Sequence, residues 1–206
     1  MLKIKYFIQQ SWLLIVASFC FGLLIAVTNS AWSPRILQNE KDKLNNLMRG
    51  LITNAGDFQI AVEGVEIPTG RGKVAKTDIY RALDSNGRCM GFAFVAEGAG
   101  FADKIKLVIA LDSRCEKFFG FKVLSSNETP GFGSKIKEGY FGSQFIQVPA
   151  EKIELLKTGN PEEIDSKIVA ISGATVSSEA VVKIFNTYID KVKEQLRTKG
   201  LISNGK

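Results

Sequence analysis

Two short stretches hold residue types from which chemistry can be built. Ser172-Gly173-Ala174-Thr175-Val176-Ser177 sets three hydroxyls around two residues that carry almost no side chain. It opens an apolar series, Val181, Ile184, Phe185, Tyr188, Ile189, Val192 and Leu196, whose three- and four-residue steps predict an amphipathic helix. Ser177, Ser178 and Glu179 suit its first turn, where unpaired amides and the helix dipole favour oxygen and negative charge. Thr175 is thereby placed as a hydroxyl at the positive end of a helix, which suits a phosphate. On physical grounds alone, plain capping is the stronger explanation of the same residues. The second stretch is Glu128-Thr129-Pro130-Gly131-Phe132-Gly133-Ser134-Lys135. Pro130-Gly131 is turn chemistry, Phe132 is displayed between two glycines, and Lys135 offers a cation for a phosphate or ring carbonyl.

Both stretches resemble one family. Ser172 to Ser177 matches, at all six positions, the flavinylation motif Ser/Thr-Gly-Ala-Thr-x-Ser/Thr of the FMN-binding subunits of Rnf-type and Na+-translocating NADH:quinone reductase complexes. Glu-Thr-Pro-Gly-x-Gly-x-Lys is a recurrent signature of the same FMN-binding domain, although leucine is more usual where this chain has Phe132. The resemblance implies FMN held covalently, through a phosphoester to Thr175, and installed by a separate flavin transferase. It implies cofactor contacts from Ser172, Gly173, Ala174, Ser177, Glu128, Thr129, Gly131 and Lys135, with no catalytic residue and no metal. It further implies an electron carrier among other subunits of a membrane redox complex. The chain's length is closer to the G subunit of Rnf complexes than to the C subunit of the quinone reductase. The rival readings are that C subunit, a flavin-free anchored assembly subunit, and a stand-alone flavoprotein serving an extracytoplasmic reductase.

Composition narrows the field. In 206 residues, 45% hydrophobic and 23% charged, there is room for one anchor and one globular domain. The net charge of +6 is scattered among acids, so a solvated surface is expected and a nucleic-acid partner is not. The absence of histidine removes Ser-His-Asp and Cys-His catalysis and most zinc sites. Cys20, Cys89 and Cys115 lack metal-ligand spacing. For Cys89 and Cys115 two readings stay open, a disulfide in an oxidising compartment or free buried thiols.

The elements that must position these residues follow in order. No charged residue lies between Tyr6 and Pro34, so residues 6–28 are expected to cross a bilayer as an uncleaved anchor. A cleaved signal peptide is the competing reading. Lys3 and Lys5 before the span favour a cytoplasmic 1–5 segment and an inner-membrane protein whose domain lies outside. Ser33-Pro34 reads as the start of a juxtamembrane amphipathic helix within 29–56, with Leu37, Leu44, Leu47, Met48 and Leu51 on its apolar stripe. The FMN-binding domain is expected over 57–200, with 201–206 as a tail. Within it, Asp57 to Lys76 reads mostly as loop and short strand, and Gly70-Arg71-Gly72-Lys73 lacks P-loop spacing.

Hairpins are expected around Asp84-Ser85-Asn86-Gly87 and Asp112-Ser113-Arg114. Gly98 to Asp103 reads as a strand-to-strand turn rather than a dinucleotide fingerprint. Tyr140, Phe141 and Phe145 suggest a short helix on the core, and Ile168 to Ile171 a short strand. The fold class is α+β: a single N-terminal transmembrane helix, then a largely antiparallel sheet covered by helices.

Overall fold

The computed structural model describes residues 2–70 and 72–202, those at 2–9 and 73 by backbone only. Arg71 of the rejected P-loop reading and residues 203–206 of the tail lie outside the described residues. The chain divides into two compact units at Lys43/Leu44.

One helix, α1 (Leu2–Leu51), contains the whole apolar segment. Leu13, Leu14, Phe19, Phe21, Leu24 and Ile25 all project outward, exposed. Among the described residues it is the one helix long and apolar enough to cross a membrane. The expected helix start at Ser33-Pro34 is corrected, because α1 runs through Pro34 without a break. Proline lacks one N–H and so removes one rung of the ladder. The Ser33 hydroxyl, read from sequence as a cap, instead donates to the Asn29 carbonyl four residues back at 2.7 Å. Leu37 of the expected stripe is exposed, so the packed part of the helix begins at Leu44.

The second unit is built on a five-stranded antiparallel meander in the order β1 (Asp57–Gly70), β2 (Lys73–Leu83), β3 (Cys89–Ala99), β4 (Lys104–Asp112) and β5 (Phe118–Ser126). Both expected hairpins are present. Asp84 closes the first by accepting the amides of Asn86 and Arg88 at 2.8 Å each. Asp112 closes the second by accepting those of Glu116 and Lys117. The loop expected over residues 57–76 is corrected to the 14-residue β1 and the start of β2. Its glycine and proline misled because β1 is an edge strand. Gly64 sits at φ +62 where the register shifts and gives its amide to Asp78, and Pro68 is tolerated where one side of the strand has no partner.

After β5 come a 3-10 turn (Gly133–Lys137), the one-turn α2 (Gly139–Gly142), a second 3-10 turn (Ser143–Phe145), and the short parallel pair β6 (Glu154–Leu156) and β7 (Lys167–Val169). The long α3 (Thr175–Thr198) follows. The sheet is buried on both faces along Leu107 to Leu111, which explains that continuous apolar run. Ile105, Leu107, Ile109 and Leu111 join the core under α3, while Val108 and Ala110 meet Met48 and Ile52.

The α3 stripe is the one its periodicity predicts. Val181, Ile184, Phe185, Tyr188, Ile189, Val192 and Leu196 are all buried. Phe185 lies 4.9 Å from Phe118 and 4.8 Å from Phe145, centroid to centroid. The Tyr188 hydroxyl accepts the Glu97 amide at 3.1 Å, and this pins α3 to β3.

All three cysteines are free. Cys115 is buried at φ +56, and burial, with Asp112 adding to it, pushes its thiol up to about 12. The reference thiol ionises near 9.0. The unfolded chain therefore releases this proton first, so the stability it contributes is full below about pH 9 and falls as pH rises toward 12. The slope is about 1.4 kcal/mol per pH unit at most. Cys115→Ala should accordingly show a shallower drop in urea midpoint between pH 9 and 11 than the parent protein. Equal slopes would count against it.

Candidate functional site

Three loops converge at the start of α3. The first is the turn from β3 to β4, where Gly100 donates to the Asp103 carbonyl at 2.8 Å. A backbone bond from Lys104, then the Asn127 side chain at 2.9 Å, hold the Asp103 carboxyl below the usual carboxylate range. The second loop, 127–135, turns at Pro130-Gly131. Gly131 takes φ +76 and the Phe132 amide returns to the Thr129 carbonyl at 3.2 Å. That is type II geometry, which needs glycine at its third position. The third is Ser172-Gly173-Ala174, with Gly173 at φ +77.

Glu128 fastens the three together. Its side chain is 5% exposed. Oε1 accepts the amides of Phe101 (2.8 Å) and Ala102 (3.1 Å), and Oε2 accepts the Ser177 hydroxyl at 2.5 Å. The glycines around it are there for room rather than for backbone freedom. A Cβ on Gly133 would stand 2.5 Å from both Glu128 Oε2 and Ser177 Oγ, and one on Gly100 would meet Glu128 Oε1. Gly133→Ala should therefore destabilise the domain by about 1–3 kcal/mol through overpacking, read as a lowered Tm. An unchanged Tm would mean that this junction is looser than its geometry.

Above the junction lies a shallow pocket of about 400 Å³, lined by Phe101, Thr129, Phe132, Gly133 and residues 173–177. Phe101, Phe132 and Val176 stand exposed at its mouth. Thr175 is the first residue of α3 and is half-buried. Among the described residues its hydroxyl has no hydrogen-bond partner. The first helical bond is closed by Ser178, whose amide reaches the Ala174 carbonyl at 3.0 Å. The amides of Thr175, Val176 and Ser177 precede it, so they have no carbonyl a turn earlier and belong to the positive end of the helix. No side chain caps α3. The hydroxyls thought from sequence to cap it act otherwise. Ser177 binds Glu128, and Ser178 accepts the Ile171 amide while donating to the Ala174 carbonyl.

The residues singled out from sequence thus separate. Thr175, Gly173, Ala174, Ser177 and Thr129 line the pocket. Glu128 lies beneath it as the fastening. Gly131 makes the turn, Ser172 is exposed to one side, and Lys135 sits in the 3-10 turn with its amide on the Phe132 carbonyl. Sequence reasoning missed Phe101 as a wall of the site. Its aromatic type beside Gly100 was a signal, but the distance to Thr175 is set by tertiary contacts. Larger clefts of about 570 and 600 Å³ exist elsewhere, without a free hydroxyl at a helix start.

A flavin phosphate fits this arrangement. A lone hydroxyl beside unpaired amides suits a phosphoester, and the two exposed phenylalanines offer flat apolar surface for a ring.

Comparison with known proteins agrees. Residues 100–190 match the family model of the FMN-binding domain. The chain is 29% identical over 182 residues to the G subunit of the ion-translocating oxidoreductase complex of Methanosarcina acetivorans, covering 88% of this chain and 92% of that one. It is 28% identical over 179 residues to the G subunit of the proton-translocating ferredoxin:NAD(+) oxidoreductase complex of Clostridium ljungdahlii, covering 87% and 88%. Its fold is similar to the crystal structure of Shewanella oneidensis NqrC, with a TM-score of 0.57 at 18% identity over 71% of this chain and 73% of that one. Motifs, fold and family model converge on residues 100–190, which match the FMN-binding domain.

Proposed function

We propose that this protein is the electron-relay subunit of a membrane-bound, ion-translocating redox complex of the Rnf type, working through FMN esterified to Thr175. The observation that carries this reading is the unpartnered Thr175 hydroxyl at the start of α3, in the floor of a pocket with aromatic walls. Its likeness to G subunits over nearly the full length of both chains supports the kind of complex.

Bound FMN supplies electron transfer in single or paired steps, chemistry that no side chain here provides. The chain's own residues hold and orient. Thr175 provides the ester oxygen once, during maturation by a flavin transferase. The first-turn amides of α3 would hold the phosphate, and Gly173, at φ +77, would leave that side free of a side chain. Phe132 and Phe101, exposed at the pocket mouth, would offer apolar surface to the ring. Glu128 holds together the loops that would carry the cofactor. A covalent tether keeps the cofactor in place outside the cytoplasm.

In this reading α1 crosses the inner membrane once, with 1–5 cytoplasmic and the domain extracytoplasmic. Ion movement belongs to partner subunits, since residues 6–28 carry no ionisable side chain apart from Tyr6 and Cys20. The second reading, a C-type subunit of the Na+-translocating NADH:quinone reductase, has in its favour the fold likeness to NqrC.

The test is the intact mass of the protein purified from its own host. A gain of FMN less one water, mapped to the Thr175 peptide, is the expected result. No gain in a host with an active flavin transferase would overturn the covalent reading. Topology needs an introduced probe, because Cys115 is buried and its thiol is held protonated. Ser85→Cys, in the exposed first hairpin turn, should react with a membrane-impermeant maleimide in intact cells stripped of their outer envelope. Labelling only after lysis would reverse the orientation.

A further inference from the structure

We propose that the outer edge of β5 is a docking strip for an extended segment of a neighbouring subunit, one that is apolar with an acidic residue placed against Lys122. β5 is the last strand of the sheet. At Phe118 it exchanges backbone bonds with Val148 (2.9 Å) and Gln147 (2.8 Å). From Gly120 to Leu124, among the described residues, no further segment pairs with that edge. An open strand edge presents N–H and C=O groups in the one pattern that another extended chain satisfies, and proteins ordinarily block such edges.

Here the edge lies in a groove of about 600 Å³ whose lining includes Leu47, Leu51, Ile136 and Ile146. Ile146 is 48% exposed. Three glycines in the walls, Gly50, Gly139 and Gly142, have nothing within 4 Å of where a Cβ would stand, which leaves room for a second backbone. The surfaces are of the kind β-strand addition uses: main-chain bonds for affinity and apolar pockets for alternate side chains.

Charge selects the occupant. Lys122 is exposed on the groove, and among the described residues it pairs with no carboxylate. Lys137 and Glu138 also line the groove. A second copy adding edge to edge through a two-fold axis would bring Lys122 close to its own twin, and like charges across a strand pair oppose pairing. An acidic partner segment removes that conflict. The inference shares with the proposed function only the premise that this chain is one subunit of a complex, and its test reads flavin separately.

The experiment uses the assembled complex, purified from the native host through an affinity tag on another subunit. A photoreactive benzoylphenylalanine in place of Ile146 should cross-link to an extended segment of a partner subunit that carries an acidic residue. Ile146→Glu should lower retention of this chain in the purified complex about ten-fold. Lys122→Glu, at an exposed position with no pairing to lose, should lower retention with unchanged Tm, and it decides the matter should Ile146→Glu fail to fold. Covalent flavin, measured by mass in each sample, should stay at the parental level. Cross-links to lipid or to a second copy, or full retention of a folded Lys122→Glu chain, would overturn the docking strip. Loss of flavin in the parent protein would instead overturn the reading of Thr175.

Discussion

Thr175→Ala is expected to abolish covalent flavin completely while leaving the domain folded. The chemical half of this expectation is all-or-none, since alanine has no oxygen to esterify. The structural half follows from what the hydroxyl does in the protein. It makes no internal hydrogen bond among the described residues, and no side chain caps α3. Removing it therefore costs no more than about 1 kcal/mol, the scale of a lost cap. The two measurements are flavin fluorescence of the denatured band and the thermal midpoint. A variant with parental fluorescence would move the ester to another hydroxyl. Ser172, exposed beside the pocket, is the first to examine, because Ser177 is buried and bonded to Glu128.

The second large effect belongs to Glu128. Glu128→Ala leaves the part-buried amides of Phe101 and Ala102 and the buried Ser177 hydroxyl without their acceptor. A buried donor left unsatisfied is costly, and the expected loss of stability is about 1–3 kcal/mol. Flavin loading should fall with it, as Phe101 and the first turn of α3 lose their common anchor. Glu128→Gln separates this role from one of charge. Its carbonyl oxygen can still accept both amides, and its NH₂ can donate to Ser177 Oγ, since the hydroxyl rotates to suit. Gln should therefore hold stability to within about 1.5 kcal/mol and restore most of the flavin. If Gln and Ala were equally damaging, the charge itself would be at work and the fastening role would be wrong.

This split also shows where reading the chain as text was sufficient. The place of Thr175 at the start of α3 was legible because its neighbours are short-range facts: small residues, hydroxyls and the onset of a 3.6-residue apolar period. The sheet was legible for similar reasons. The Asn-Gly and Asp-centred turns are local, and β3, β4 and β5 are apolar enough to show. Pro34 and β1 failed for one shared reason. Proline and glycine signal interruption only on average, and a long helix or an edge strand can absorb them.

The sequence by itself determined the α3 stripe, the two hairpins, the long apolar helical segment and the place of the Thr175 hydroxyl at the start of α3, because each is written in periodicity or turn chemistry over a few neighbours. Only the tertiary structure decided which motif residues face the pocket and which serve beneath it. Glu128 and Ser177 lie 49 positions apart and meet at 2.5 Å across a junction that Gly100 and Gly133 keep open. A carboxyl in a loop looks the same as text whether it greets a ligand or ties three loops together. Burial and donor geometry make that choice, and both arise only when distant segments pack.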